Sequence, residues 1–436
     1  MTWRAAALLG AGALTLPLWP APWLGVLLMT GAVLVLTVVD WTLAVPPGAV
    51  RASRQGARVV WLGDTATVAV HLHNTAARPL RGLVRDAWVP SAGARPGFPG
   101  APRVRIDPGA RVVLPTLLTP TRRGDRPAVR LTLRSYGPLG LAFRQRSREP
   151  ETPPWTLRVL PRFASRRHLP EKLARLRAID GTEVARGRGQ GTEFDALREY
   201  VVGDDVRSVD WRASARRADV LVRTWRPERD RRVVCVLDTG RTAAVRVGDV
   251  PRLDAAIEAA LLLAALAGRA GDRVDLLAVD ETVRVAVTGG SQSTVLARMV
   301  NALAPLTPNL VETNFALVAG EILRRERHRC LVVLFTALEA AALGEGLLPV
   351  LPRLAARHQV VVAAVHDPVL TDLTTRTPKQ VREVYATAAA WRALTDRDRV
   401  RAALHRHGVT VVDAPADQLA PMVSDTYLRL KALGQL

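Results

Sequence analysis

Lysine is almost missing from this 436-residue chain. It occurs at Lys172, Lys379 and Lys431 alone, so the formal charge of +21, from 61 basic and 40 acidic residues, is carried almost wholly by arginine. Aromatic residues make up only 5% of the chain, and no basic block is interleaved with stacking aromatics. That argues against a surface that reads nucleic acid. The charge fits attraction to an anionic membrane leaflet instead. Cysteine is scarce as well. Cys235 and Cys330 sit inside the apolar runs VVCVLD and CLVVLF, where they read as small core residues on buried strands, without metal-site or redox-pair spacing. So few cysteines are compatible with the cytoplasm. With 48% hydrophobic and 23% charged residues, a disordered or fibrous chain is excluded, and the length calls for two or three domains.

A further absence is local: no charged residue occurs from Ala5 to Val39. Such a stretch is too long for one helix across a hydrocarbon core of ~30 Å, which takes ~20 residues. The run PLWPAP, Pro17 to Pro22, divides it, so residues 1–45 are expected to form two transmembrane helices joined by a tight turn. Trp3 and Trp41 then mark one interface, and Trp19 and Trp23 the other. Arg4 precedes the hairpin and Arg51, Arg54 and Arg58 follow it. The positive-inside rule therefore predicts a multi-pass cell-membrane protein with cytoplasmic soluble domains. A cleaved signal peptide fits less well, because a second apolar stretch follows at once.

Residues 46–160 read as β structure. ATVAVHLHN (Ala66 to Asn74), RVRI and VRLTLRS alternate, and clusters such as PSAGARPGFPGAP separate the runs. Short strands with such turns predict a β-sandwich-like domain. Residues 161–230 change character, with the short helix LPEKLARLRAI and then RGRGQGTEF. The glycine-rich run lacks the Gly-Lys-Ser/Thr ending of a phosphate loop and reads as a flexible basic connection. Residues 231–436 alternate apolar strands with helices, which predicts an α/β domain with a doubly wound, mainly parallel sheet. Ligands of such sheets meet the loops at the carboxyl ends of the strands.

Two adjacent stretches are distinctive: GTEFDALREYVVGDDVRSVDWRASARRADVLVRTW (Gly191 to Trp225) and VVCVLDTGRTA (Val233 to Ala243). With TRRGDRPAVRLTLRSYGPLGLAFR (Thr121 to Arg144), they resemble the bacterial domain of unknown function 58 (DUF58) family. The resemblance implies a membrane-anchored protein with a von Willebrand factor A-like domain. It also implies a protein partner, a MoxR-type AAA+ ATPase, in a chaperone-like or complex-maturation system.

In the first stretch Asp204, Asp205, Arg207 and Asp210 alternate in charge beside Trp211, Arg212, Arg216 and Arg217. Arginines so close pair with the carboxylates and keep them ionised, which suits them poorly to proton transfer near neutrality. These residues read as an ion-paired arm and, with Trp211 as anchor, as a partner-docking surface. The second stretch ends in Asp238-Thr239-Gly240-Arg241-Thr242, which resembles the metal-ion-dependent adhesion motif Asp-x-Ser-x-Ser. By that resemblance Asp238 and Thr242 are ligand positions, Thr313 in ETNFAL is the threonine of the second loop, and Mg2+ is the implied cation. Gly240 stands in place of the first serine, and Ala337 in LFTALE in place of the third loop's aspartate. Glu312 and Glu339 are the nearby carboxylates. A hard cation needs several oxygen ligands, so the alternative is a strand-end Asp and Thr that cap the following loop.

The expected function is a non-catalytic, membrane-tethered adaptor. The alternative, a metal-dependent hydrolase using Asp238 and nearby acids, lacks an evident base. His328, His358 and His366 lie beside strand runs as structural histidines.

Overall fold

The computed structural model describes residues 2–96, 103–146, 153–186, 193–201, 204–217, 219–226, 231–290 and 292–436. The chain divides into two compact units, Met1–Leu160 and Pro161–Leu436.

The first unit opens with an 11-residue helix, Trp3–Ala13, and continues through a 3-10 turn at Leu16–Leu18 to a 22-residue helix, Pro22–Leu43. At 1.5 Å per residue the second helix rises ~33 Å, enough for a hydrocarbon core of ~30 Å. Among the described residues it is the one helix long and apolar enough to cross a membrane, with a mean hydropathy of 2.2. Of the expected pair of transmembrane helices, the structure supports the second. Trp3–Ala13 rises only ~16 Å, about half that core, and the chain after it, turned at Leu16–Leu18 and carrying Pro17 and Pro20, does not continue the helix. Ala5, Val33 and Leu141 form a small buried cluster where the two helices meet the β region.

That β region consists of two sheets among the described residues. One has the order Val50–Gly56, Ala66–Asn74, Arg111–Leu118, Ala94–Pro96. The other runs Val59–Trp61, Thr156–Leu160, Gly124–Tyr136, Leu80–Trp88, Arg103–Ile106, with Phe143–Arg146 also paired to Gly124–Tyr136. Alternation decides which side chains face inward: Val68, Val70 and Leu72 from one sheet meet Leu80, Val84 and Leu157 from the other in shared cores. Arg54 is buried among them, paired with Asp86, which also accepts the Trp88 indole N–H at 2.8 Å.

The second unit begins earlier in the chain than the α/β alternation. Helix Leu169–Arg186 packs on the helix Ala416–Ala432 through Lys172, whose ammonium donates to both oxygens of Asp425 at 2.9 and 3.0 Å. The glycine-rich run at 187–192 lies outside the described residues. A hairpin follows, Glu193–Glu199 with Leu221–Arg226, enclosing a 3-10 turn (Val206–Ser208) and the helix Trp211–Arg217.

Six strands then build one sheet: Arg232–Asp238, Arg273–Val279, Val283–Val287, Leu331–Phe335, Gln359–Val365 and Thr410–Ala414. Counted in chain order, they lie 3-2-1-4-5-6, parallel except for the third, an antiparallel edge strand. Val234, Val236, Val332, Leu334 and Val362 face a core with Phe315, Ile322 and Leu404. Helices Arg252–Arg269 and Ala416–Ala432 pack on the other side. Burial on both faces is the reason these strands are continuously apolar rather than alternating. Cys235 is buried on the first of them, and Cys330 is buried one residue before the fourth.

Candidate functional site at the strand ends

In a sheet of this order the direction of winding reverses between the first and fourth strands, and the crevice outside their carboxyl ends is where ligands meet such folds. Asp238 ends the first of these strands and Thr336 follows the fourth. Their separation in sequence, 98 residues, is closed by the parallel register, in which Leu237 pairs with Phe335.

Asp238 is 6% exposed and accepts four hydrogen bonds. Oδ1 takes the Gly240 N–H at 2.8 Å and the Thr313 hydroxyl at 2.5 Å. Oδ2 takes the hydroxyls of Thr242 at 2.9 Å and Thr336 at 2.6 Å. The structure thus brings together Asp238, Thr242 and Thr313 as the motif implies, and adds Thr336. The signal for Thr336 lay in LFTALE, next to Ala337: a threonine at the end of the neighbouring strand.

The departure at Gly240 has a physical account. A Cβ on Gly240 would fall 2.4 Å from Thr313 Oγ1 and 2.7 Å from the Val311 carbonyl oxygen. No serine fits there while Thr313 reaches Asp238. The two compensating carboxylates are engaged elsewhere: Glu312 pairs with Arg241, and Glu339 with Arg252 at 2.7 Å. Magnesium is commonly held through one or two carboxylates plus water, but here three hydroxyls and the Gly240 N–H already occupy both oxygens of the one carboxylate. Among the described residues no cluster of three or more His, Cys, Asp or Glu could hold a metal ion. The donors present do not fit a resident cation, and no chemistry is derived through one.

The rim of the crevice is a loop laid across the strand ends. Asn309 N–H donates to the Thr239 carbonyl at 2.8 Å, Arg241 N–H to that of Val311 at 2.8 Å, and Asn314 N–H to that of Asp280 at 3.0 Å. Asp280, at the end of the second strand, is buried, which opposes ionisation. The Thr282 N–H, the Arg284 guanidinium and the Asn309 amide outweigh that and hold its pKa below the usual carboxylate range. At the loop's tip Leu310 is 84% exposed, beside the exposed Arg241–Glu312 pair. Sequence reading missed Leu310; an apolar residue in a Pro-Asn turn carried no distinguishing pattern.

The acidic run of the hairpin is spent on local structure. Asp204 accepts both Arg198 terminal nitrogens, at 2.8 and 2.5 Å, and the Val201 N–H. Arg198 foremost, then that N–H, hold its pKa low. Asp205 caps the 3-10 turn through the Arg207 N–H at 3.0 Å. Asp210 caps the helix at Trp211 through the Ala213 N–H and pairs with Arg223, and these two, in that order, lower its pKa. Trp211 is 66% exposed, with Val201 and Val206 also exposed nearby in the chain and Arg207, Arg212 and Arg216 facing solvent. The acids are not gathered with Asp238 by any hydrogen bond among the described residues. His358 Nδ1 lies 3.2 Å from Cys330 Sγ, buried at the start of its strand and away from the strand-end crevice.

Fold and site define a class: a six-stranded α/β protein whose strand-end crevice is closed by one carboxylate and three threonines. Residues 196–413, half of the chain, match the family described as Protein of unknown function DUF58, and the chain belongs to it. An uncharacterized protein of Mycobacterium tuberculosis and one of Mycobacterium bovis are each 28% identical over 183 residues, 41% of this chain. The match spans 56% of the length of those relatives. Among solved structures, native alpha-2-macroglobulin of Escherichia coli (domain MG7 to the C-terminus) is 18% identical, with a TM-score of 0.21 covering 27% of this chain and 17% of that one. The CARDB domain of a Pyrococcus furiosus protein is 17% identical, with a TM-score of 0.19 covering 27% of this chain and 90% of that one. Likenesses of that size carry no argument about fold or function.

Proposed function

We propose that this protein is a membrane-anchored, non-catalytic adaptor that presents a von Willebrand A-like strand-end surface to a protein partner. The helix Pro22–Leu43 is the anchor. Arg51, Arg54 and Arg58 follow it in the chain and make the side to which it delivers the soluble domains the cytoplasmic one. The partner, by family resemblance, is a MoxR-type AAA+ ATPase.

One observation carries the adaptor reading: both oxygens of Asp238 are saturated by four donors. A carboxylate so occupied is a structural hub and has no lone pair directed at a substrate proton. Hydrolysis through Asp238 is disfavoured for the same reason. Exposed Leu310, beside Arg241, and exposed Trp211, with Arg207, Arg212 and Arg216 near it in the chain, supply apolar anchors of the kind docking uses. The test is a pull-down from gently solubilised membranes with the ATPase as bait. Wild type is recovered, and Trp211→Ala or Leu310→Ala lowers recovery at least about tenfold, as loss of an interface anchor does. If wild type is not recovered, or both variants are recovered equally with it, the reading fails.

A further inference from the structure

Asp40 is the first charge after the uncharged stretch, and it is 0% exposed although it sits on the apolar helix. Its carboxylate accepts three backbone N–H groups of one loop: Leu139 at 2.7 Å, Leu141 at 2.7 Å and Ala142 at 2.8 Å. The fit is close. A Cβ on Gly137 would fall 2.2 Å from Asp40 Oδ1. The other end of the apolar region reaches the same loop, where Thr2 donates its N–H to Leu141 O at 2.9 Å and its hydroxyl to Gly140 O at 2.7 Å.

This latch stops the apolar surface at a defined level, and what lies at that level is distinctive. Trp3 is 77% exposed, Trp41 49% and Leu139 49%. Arg144 stacks 4.1 Å over the Trp41 ring and donates Nε–H to Trp41 O at 2.9 Å. Arg4 Nη1 lies 3.5 Å from Leu139 O. Two guanidinium groups are thus held at the base of the helix, while the Asp40 carboxylate is engaged by three backbone amides of the loop.

We infer that Arg4 and Arg144, set on the Asp40 latch, form a binding site for the phosphates of anionic lipid headgroups. The occupant is a lipid because the site is continuous with the apolar helix, and indole rings at its edge favour the headgroup layer. A guanidinium there needs an anion, and phosphate matches its planar donors. The inference rests on the reading that the Pro22–Leu43 helix lies in a bilayer.

The full chain, reconstituted into vesicles of phosphatidylcholine with or without phosphatidylglycerol, tests it. A fluorophore on Leu139→Cys is quenched by nitroxide carried on the headgroup of either lipid; both native cysteines are buried. Quenching is expected to be stronger from phosphatidylglycerol, and Arg4→Gln with Arg144→Gln to reduce that preference by about fivefold per arginine, the weight of a basic residue at a charged membrane surface. Excess inorganic phosphate leaves it unchanged, which separates lipid from free anion. Asp40→Asn loosens the latch, so the label gains access to aqueous iodide while the protein still floats with vesicles. The phosphatidylglycerol content of detergent extracts gives the same comparison without a label. Equal quenching by both lipids in a floating protein overturns the site alone. Failure to float overturns the anchor reading and the site with it.

Discussion

Thr336 and Asp238 meet across the point where the sheet reverses its winding: the Thr336 hydroxyl donates to Asp238 Oδ2 at 2.6 Å from the neighbouring parallel strand. The same carboxylate gathers Thr242, Thr313 and Gly240 from two loops, so it ties three chain segments together. Thr336→Val removes one hydrogen bond to a buried charge and is expected to cost about 1.5 kcal/mol. Asp238→Ala leaves three hydroxyls and an amide without an acceptor and is expected to cost about 3 kcal/mol or more. Urea denaturation of the detergent-solubilised chain measures both. A carboxylate that was not the hub would make the two losses equal.

Gly240 is held small by Thr313 rather than by backbone conformation, since its φ of −76° suits any residue. Gly240→Ser restores the serine of the adhesion motif, yet it is expected to destabilise by about 1–3 kcal/mol, the cost of overpacking a filled site. No magnesium affinity should be gained, because the second carboxylate is still missing. Calorimetric titration with Mg2+ should give no saturable heat for either form. A saturable heat in wild type would show that the threonine hydroxyls rearrange around a cation.

How much of this was legible in sequence follows from how local each cause is. Asp238, Thr242 and Thr313 were reached through resemblance to the adhesion motif, not through spacing alone. Thr336 was missed because its role depends on which strands become neighbours, which no run of residues displays. Asp40 was passed over as the mere end of an uncharged window, since its partners lie about a hundred residues away in the Leu139–Ala142 loop. Of the two expected spans, Pro22–Leu43 reaches spanning length and Trp3–Ala13 does not: the prolines marked the division in sequence, but not that the first helix ends at Ala13, ahead of Pro17. The alternation of strands and helices after Arg231 was legible throughout, being periodic and long.

The acids of the hairpin predict a pH dependence of defined sign. Arg198 first, with the Val201 N–H, lowers the pKa of folded Asp204 below its ordinary value. A depressed acid contributes stability above the unfolded pKa, about 4, and loses it as pH falls through the lower folded value. Arg198→Gln should therefore be less stable than wild type by a constant margin above about pH 4, and the gap should close below it. Denaturation midpoints at a series of pH values check this. A gap that persisted unchanged at low pH would mean Arg198 acts through packing instead.

Thr239 points the other way. Among the described residues its hydroxyl is buried without a hydrogen-bond partner, one residue from the hub, and the residue is 0% exposed. Thr239→Val keeps the shape and removes the unsatisfied group, so it should raise stability by about 1 kcal/mol. Loss of stability instead would reveal a partner for that hydroxyl, such as a bound water.

Cys330 beside His358 has the residue types of a nucleophile and base, and the Sγ···Nδ1 separation of 3.2 Å would suit one. Its surroundings decide against that. Burial, and then the charge of Glu326, push the Cys330 thiol up to about 12. Burial first, then Arg357, pushes the His358 pKa down. The pair is thus a neutral thiol beside a neutral imidazole, the opposite of the thiolate–imidazolium pair that reactive cysteines use. At pH 8 a thiol titrating near 12 is ionised to about one part in ten thousand, and both cysteines are also shielded from reagent. Iodoacetamide should modify neither Cys235 nor Cys330 in the folded chain within hours, and both within minutes in denaturant, as counted by intact-mass spectrometry. Rapid alkylation of Cys330 alone in the folded protein would show that His358 takes its proton, and would reopen nucleophilic chemistry at the base of the sheet.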